Sequence, residues 1–335
     1  MRVGIVGCGL IGRRRALALT GFPGDRLIAA CSRTPDRVRR FAQEFGCREE
    51  TDWRKLVEAR DVDAVIAAPL NAVLKPVTVA ALRLGKPVLC EKPLGLNARE
   101  AAAMVTAARS SGVILMTGFN QRFHPAVRKA QSWIDRGKIG TPLTIRAHFG
   151  HGARPGLERE WLSSRVLSGG GVLRDLGSHL IDLIAWFGGP IVSAWGTTET
   201  LAWDIPVEDQ ATALATTCRG MTTSFQVSWL NWRNTFSFEV IGTAGYLAVR
   251  GLGGSYGLES LEWGRRNPRG GRPAIKTWAF PDENSSWTAQ WAEFRSAIRA
   301  GRDPVGSGED GLHAQRVVEA IYRSSNTRRA VRVTS

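Results

Sequence analysis

An α/β fold in two domains is the prediction: a doubly wound parallel sheet over residues 1–119, then an α+β domain over 120–335 built on an open, mostly antiparallel sheet. Three observations carry it. Short apolar runs alternate with helical segments as far as residue 117, a glycine-rich turn follows the first run, and beyond residue 190 consecutive β-type runs replace that alternation.

The strand candidates of the first domain are 3–6, 27–31, 64–68, 88–90 and 113–117. Between them RRRALALT, PDRVRRFAQEFG, DWRKLVEA, VTVAALRLG and NAREAAAMVTAARSSG carry helical periodicity, and several end in a glycine stop. Such β-α-β repetition builds a parallel sheet covered by helices on both faces, with ligands at the carboxyl ends of its strands. In the second domain a helix (PAVRKAQSWIDRG), a strand (PLTIRAHFG) and another helix (LGSHLIDLIAWFG) precede the runs IVSAWGTTET, QATALATTC, MTTSFQVSWL, NTFSFEVIG and GYLAVRG. Turn residues at Arg219-Gly220 and from Asn231 to Asn234 separate neighbouring runs, as hairpins require. Two helices, WTAQWAEFRSAIRAG and EDGLHAQRVVEAIYRSS, and a strand, AVRVT, complete the pattern.

With 43% hydrophobic and 22% charged residues and no low-complexity run, the composition is that of a folded globular chain. No stretch reaches the ~18 apolar residues of a membrane span. The basic cluster Arg13-Arg14-Arg15 follows the apolar opening instead of preceding it, the reverse of a secretory signal. A soluble, cytoplasmic protein without a membrane partner is expected. The five cysteines, Cys8, Cys31, Cys47, Cys90 and Cys218, show no C-x-x-C spacing, so neither a disulfide framework nor a metal site is expected. The formal charge of +15 comes from arginines scattered along the chain without a basic stripe interleaved with aromatics. That distribution speaks against nucleic acid and leaves a solvated surface or an anionic ligand.

Directly after the first strand, VGIVGCGLIG sets out Gly7-x-Gly9-x-x-Gly12, with Leu10 and Ile11 between the last two glycines, where the first helix opens. Gly7 permits the tight turn, Gly9 admits a pyrophosphate close to the backbone, and Gly12 lets helix and strand pack, while the helix N-terminus offers amide hydrogens. This predicts a bound dinucleotide. At the end of the second strand, where an acid would hold the ribose hydroxyls of NAD, stand Ser32 and Arg33, with Arg37 one helical turn on. A hydroxyl and two guanidinium forks suit a 2′-phosphate, so the expectation leans to NADP, with NAD or acceptance of both as the alternative.

The stretch VLCEKPLGLN raises a separate question, because Glu91 and Lys92 stand where a buried strand ends. Pro93 lacks an amide hydrogen and confines Lys92 to extended conformations, which aims the lysine. Taken together, the glycine turn, CEKP at 90–93, GFNQRFHP at 118–125 and GGGVLRDLGSHLIDL at 169–183 resemble the Gfo/Idh/MocA family of oxidoreductases, in order and separation over essentially the whole chain.

The resemblance implies a Rossmann domain that binds the nicotinamide cofactor and a C-terminal sheet that covers the substrate and mediates a homodimer or homotetramer. It makes Lys92 the contact to the reacting oxygen of a sugar or polyol, His179 the general acid/base, and Asp175 the acid one helical turn before it. Chemistry agrees: residues four apart on a helix share a face, and imidazole suits proton transfer near neutrality. Pro69, Asn71 and Glu91 join the cofactor contacts, although Glu91 can equally pair with a structural cation. Arg122, His124, Trp161 and Arg165 are candidate substrate contacts, and a helix-start role serves Arg122 and His124 as well. One departure stands out: where the family places a histidine three residues after the Asn71 position, this chain has Leu74. The expected activity is hydride transfer between nicotinamide and a secondary alcohol or ketone of a sugar, cyclitol, sugar phosphate or nucleotide sugar. Two alternatives keep the fold: a cofactor that stays bound and recycles, redox glycoside cleavage included, and a non-catalytic nucleotide or sugar sensor.

Overall fold

A computed structural model of the chain describes residues 1–282 and 285–334. The first stretch runs β1 (Arg2–Val6), α1 (Leu10–Thr20), β2 (Arg26–Cys31), α2 (Pro35–Phe45), β3 (Arg48–Glu50), α3 (Trp53–Glu58), β4 (Ala64–Ala67), α4 (Asn71–Arg83), β5 (Val88–Cys90), α5 (Ala98–Ser111) and β6 (Leu115–Thr117). All pairings are parallel, in the order β3-β2-β1-β4-β5-β6, so the strand order reverses between β1 and β4. Apart from the exposed Arg2 that opens β1, the inner strands are apolar without alternation and buried, as a sheet covered on both faces demands. Two elements differ from expectation. β3 is Arg-Glu-Glu and carries no apolar signal, and α4 begins at Asn71 although Pro76 lies inside it. Pro76 is solvent-exposed, where losing one helical bond is tolerated best.

The chain continues through a 3₁₀ turn (Asn120–Phe123), α6 (Pro125–Asp135), β7 (Pro142–Gly150), short turns, α7 (Arg165–Ser168), a π-helical turn (Leu173–Gly177) and α8 (Ser178–Gly188). Then follow β8 (Ile191–Glu199), β9 (Gln210–Thr217), β10 (Thr222–Ser228), β11 (Thr235–Gly242), β12 (Gly245–Arg250), β13 (Glu259–Arg265), β14 (Ala274–Phe280), α9 (Ser285–Ala300), α10 (Gly308–Thr327) and β15 (Val331–Arg332). Nine strands order as β14-β13-β12-β11-β7-β10-β9-β8-β15, antiparallel except where β7 and β10 run parallel. One face packs on helices: Ile145, Ala147 and Phe149 alternate inward, and Phe187 of α8 meets Phe238 at 5.0 Å between ring centroids. The other face carries a shallow polar groove of about 410 Å³ lined by Arg146, His148, Gln226 and Glu239 among others. Burial pushes the His148 imidazole below its ordinary value. β13 and β14 lie outside the expected strand set, because β14 is an exposed edge with no apolar stripe.

Two compact units emerge. The first takes residues 1–120, 166–169 and 287–315, and the second the other described residues. The boundary at 120/121 falls one residue from the expected one, but nearly all of α9 and the start of α10 cluster with the first unit, where the expected division put them in the second. The reason is a set of contacts distant in sequence. Trp291, Phe294 and Ala297 form a buried face on α9, Trp291 Nε1 donates to Asp25 Oδ2 at 2.9 Å, and Arg295 Nε lies 2.7 Å from the same oxygen. Among the described residues no helix is long and apolar enough to cross a membrane.

Candidate active site

In the first unit the glycine turn leaves β1 as its spacing demands. Gly7 has φ +111°, and a Cβ there would lie 2.1 Å from Ala68 O, so this turn and the one after β4 touch backbone to backbone. A Cβ on Gly12 would fall 1.9 Å from Gly7 O, whereas nothing stands within 4 Å of the same position on Gly9. Gly9 is the N-cap of α1 without a side chain of its own, so the first-turn amides face outward uncapped. Leu10 is exposed and Ile11 half-buried. These residues fit a dinucleotide: two glycines are compelled by packing, and the third leaves backbone open to a pyrophosphate.

Ser32 follows β2, its Oγ accepting from Thr34 N at 3.3 Å, and Arg33 and Arg37 are exposed. Burial pushes the Cys8 thiol up to about 12. After β4, Pro69 is half-buried, and Asn71 is buried and donates through Nδ2 to Ser168 O at 2.9 Å. Leu74, at the departure from the family pattern, is fully buried in the apolar core of this unit. After β5 the peptide Lys92-Pro93 is cis. Lys92 is half-buried, and its backbone N–H donates to Glu91 Oε2 at 3.3 Å. Glu91 does pair with a structural cation: Arg15 Nε donates to its Oε1 at 2.6 Å, with both side chains buried. The turn beyond is fixed by Gln315, which donates to Gly95 O at 2.5 Å, and at the start of α5 by Glu100 N donating to the N-cap Asn97 Oδ1 and Leu96 N to Glu100 Oε2, both at 2.9 Å.

In the second unit, Asp175 and His179 lie on either side of a change of helix type. Leu173–Gly177 is a π turn, and α8 starts at Ser178. The α-helical spacing of four expected between them is thus widened by one bond pattern, a feature frequent at functional sites. Asp175 is half-buried on the wide turn, while His179 is buried with its ring 6.1 Å from that of Phe149. Phe149 in turn packs against Tyr256 and Phe236, each at 5.4 Å.

What sets this helix start was not legible in the sequence. Glu208 Oε1 accepts from Gly171 N at 3.0 Å, Leu173 N at 3.1 Å and Tyr322 OH at 2.7 Å. Gly171 tolerates no side chain, since a Cβ would lie 2.0 Å from Glu208 O. Burial first, and then the Glu208 charge, raises the Tyr322 phenol well above its ordinary range, which keeps its hydroxyl a donor.

The four remaining candidates divide. Arg122 is buried and bidentate to Asp182, at 2.8 and 2.6 Å, and its guanidinium lies 5.3 Å from the Trp186 ring. His124 is the N-cap of α6, with Nδ1 2.8 Å from Glu259 Oε2, while Glu259 Oε1 accepts from Ala126 N at 2.6 Å. His124 thus stands at the start of α6, whereas Arg122 is tied to Asp182 within α8. Trp161 is half-buried in a 3₁₀ turn, and Arg165 is exposed and donates to Pro206 O at 3.2 Å. Among the described residues no group of three His, Cys, Asp or Glu side chains could hold a metal ion.

Comparison with known proteins bears on the family and the fold. Residues 1–119 match the oxidoreductase family with an NAD-binding Rossmann fold, and 127–248 match the GFO/IDH/MocA C-terminal domain. The dTDP-3,4-didehydro-2,6-dideoxy-alpha-D-glucose 3-reductase of Actinomadura kijaniata is 34% identical over 74% of this chain and 74% of its own. The 1,5-anhydro-D-fructose reductase of Ensifer adhaerens is 28% identical over 99% of this chain and 98% of its own. The crystal structure of an NAD binding oxidoreductase from Klebsiella pneumoniae superposes with a TM-score of 0.91 at 27% identity, over 100% of this chain and 99% of that one. Glycine turn, parallel sheet and second-unit sheet together make the chain a member of the GFO/IDH/MocA family of NAD-binding oxidoreductases.

Proposed function

We propose that the chain is a sugar oxidoreductase, working between nicotinamide and a secondary alcohol or ketone of a sugar, cyclitol, sugar phosphate or nucleotide sugar. One observation carries the reading. Within the first unit the glycine turn follows β1, Pro69 and Asn71 follow β4, and Lys92 follows β5, so cofactor turn and lysine stand at the carboxyl ends of three adjacent parallel strands. That edge is where such sheets bind their ligands. The names of the relatives support a sugar as the substrate.

In this reading Gly7, Gly9, Leu10, Ile11 and Gly12 receive the pyrophosphate, and the bound nicotinamide supplies or accepts the hydride. Lys92 contacts the reacting oxygen and stabilises the negative charge that develops there. His179 carries the proton that this oxygen gains or loses, with Asp175 as its acidic companion. Ser32, Arg33 and Arg37 favour NADP over NAD through the 2′-phosphate.

A panel of aldoses, ketoses and cyclitols with NADPH or NADH identifies the assay substrate. Lys92→Met and His179→Asn then retain cofactor binding, measured by nicotinamide fluorescence, and each lose about 10²–10³-fold in kcat. Near-normal turnover of either variant removes that residue from its role.

The open face of the nine-stranded sheet is the proposed seat of a second copy. Trp195 and Leu214 are cross-strand partners there and remain 39% and 47% exposed. Light scattering is expected to give the mass of a dimer or tetramer; a monomer at micromolar concentration overturns this part.

A further inference from the structure

The ion pair between Arg15 and Glu91 takes no part in the roles above, yet it joins the helix of the glycine turn to the residue before Lys92. Arg15 lies one helical turn past Gly12 on α1, and only 2% of it is exposed. Its Nε and Nη2 both stand 2.6 Å from Glu91 Oε1, and Nη1 donates to Gln290 Oε1 at 2.7 Å. The guanidinium lies 4.5 Å from the Trp287 ring, and Gln290 Nε2 donates onward to Thr117 O, at the end of β6, at 3.1 Å. Glu91 is confined from the far side as well, since a Cβ on Gly118 would fall 2.7 Å from its Oε2. That same Oε2 accepts the Lys92 backbone N–H at 3.3 Å.

A planar fork held in this way has one orientation, and it fixes the carboxylate it grips. Stability alone does not call for such a pair, because apolar residues of similar volume commonly serve a buried site as well or better. Placement does call for it: Lys92 follows a strand of 3 residues, and its amide has the Glu91 carboxylate as acceptor. We propose that Arg15 is a positioning residue for Lys92, acting through Glu91 and setting the lysine from the helix that opens at the cofactor turn. The proposal rests on the reading of Lys92 as the amine that contacts the reacting oxygen. Without Arg15 the Glu91 carboxylate is a buried charge without its guanidinium, and it turns to the adjacent Lys92 ammonium, drawing that amine from its target.

The test compares Arg15→Met, Glu91→Gln, the double variant and Lys92→Met with the unaltered protein. Readouts are kcat, KM and NADPH affinity, the melting temperature, and Lys92 labelling by trinitrobenzenesulfonate in cofactor-free protein, followed by peptide mass spectrometry. Arg15→Met is expected to lose about 10²-fold in kcat, the scale of a small misplacement, with far smaller changes in KM and NADPH affinity. Its Lys92 labelling slows, and the double variant, which lacks the competing charge, recovers that labelling. A merely structural arginine would shift the melting temperature and leave the labelling and the kcat of the folded protein alone; that result overturns the proposal. If Arg15→Met does not fold, Glu91→Gln alone decides, because it keeps an acceptor for Arg15 but sets an amide against the Lys92 N–H. It is expected to lower kcat at unchanged KM, and an unchanged kcat overturns the proposal. Lys92→Met separates the two levels: inactive, it leaves the lysine reading standing whatever Arg15 does, and active, it removes that reading itself.

Discussion

Lys92 follows a strand of 3 residues and is framed by a buried ion pair, whereas His179 follows a π turn whose start, at Gly171 and Leu173, is framed by a single carboxylate oxygen taking three hydrogen bonds. The contrast follows from the secondary structure. A helix start presents backbone N–H groups with no intrahelical partner, so one acceptor, Glu208, satisfies Gly171 and Leu173 together and leaves capacity for Tyr322. A strand end offers no such row of donors. Its last peptide is held by the neighbouring backbone, through Glu91 N to Ala67 O and Gly118 N to Cys90 O, and the next amide, that of Lys92, is met by the Glu91 side chain, itself oriented by Arg15. The Lys92 turn and the turn before His179 therefore respond to different damage: the first to loss of charge balance, the second to loss of an acceptor.

The largest effect on stability is expected at Glu208. In Glu208→Ala two backbone N–H groups and a phenol lose their acceptor inside the protein, each at about 1–3 kcal/mol, for a total of about 3–9 kcal/mol. Urea unfolding measures it. Glu208→Gln keeps an oxygen in place and costs about 1 kcal/mol. If the two variants unfold alike, charge and not hydrogen bonding holds the helix start, and the contrast with Arg15 and Glu91 is gone.

The same contrast explains what the sequence discloses. The glycine turn, the strand end at the Glu-Lys-Pro stretch and the helix around His179 are legible because each is a local spacing, and the backbone geometry at Gly7, Gly9 and Gly12 agrees with that spacing. Their supports are not local. Arg15 and Gln290 are separated by 275 positions, and Glu208 and Tyr322 by 114, so no periodicity links them. Arg15 reads in the sequence as the third member of a basic cluster and in the fold as a buried guanidinium, because α1 turns that one position inward while Arg13 and Arg14 stay exposed. β3 and β14 escape notice for the opposite reason: they are polar or exposed, and pairing alone makes them strands. The return of α9 to the first unit is likewise a tertiary fact, carried by Trp291 and Arg295 on Asp25.

Arg33 and Arg37 supply the smallest effect on stability and the sharpest control. Both are exposed, so neither frames anything, and removing them is expected to change stability by less than about 0.5 kcal/mol, unlike removal of the buried Arg15. Their influence is confined to the ligand. A charge-assisted hydrogen bond is worth about 1.5–3 kcal/mol, so Arg33→Ala/Arg37→Ala is expected to weaken NADPH binding by at least about ten-fold and to leave NADH binding nearly unchanged. The difference shrinks with added salt, since these guanidinium groups lie in solvent and are screened. Fluorescence titration of both cofactors reads the outcome. Should NADH bind the unaltered protein as tightly as NADPH, or the double variant weaken both cofactors alike, these arginines are ordinary surface charge, and the selectivity for the phosphorylated cofactor fails while the framing of Lys92 and His179 is untouched.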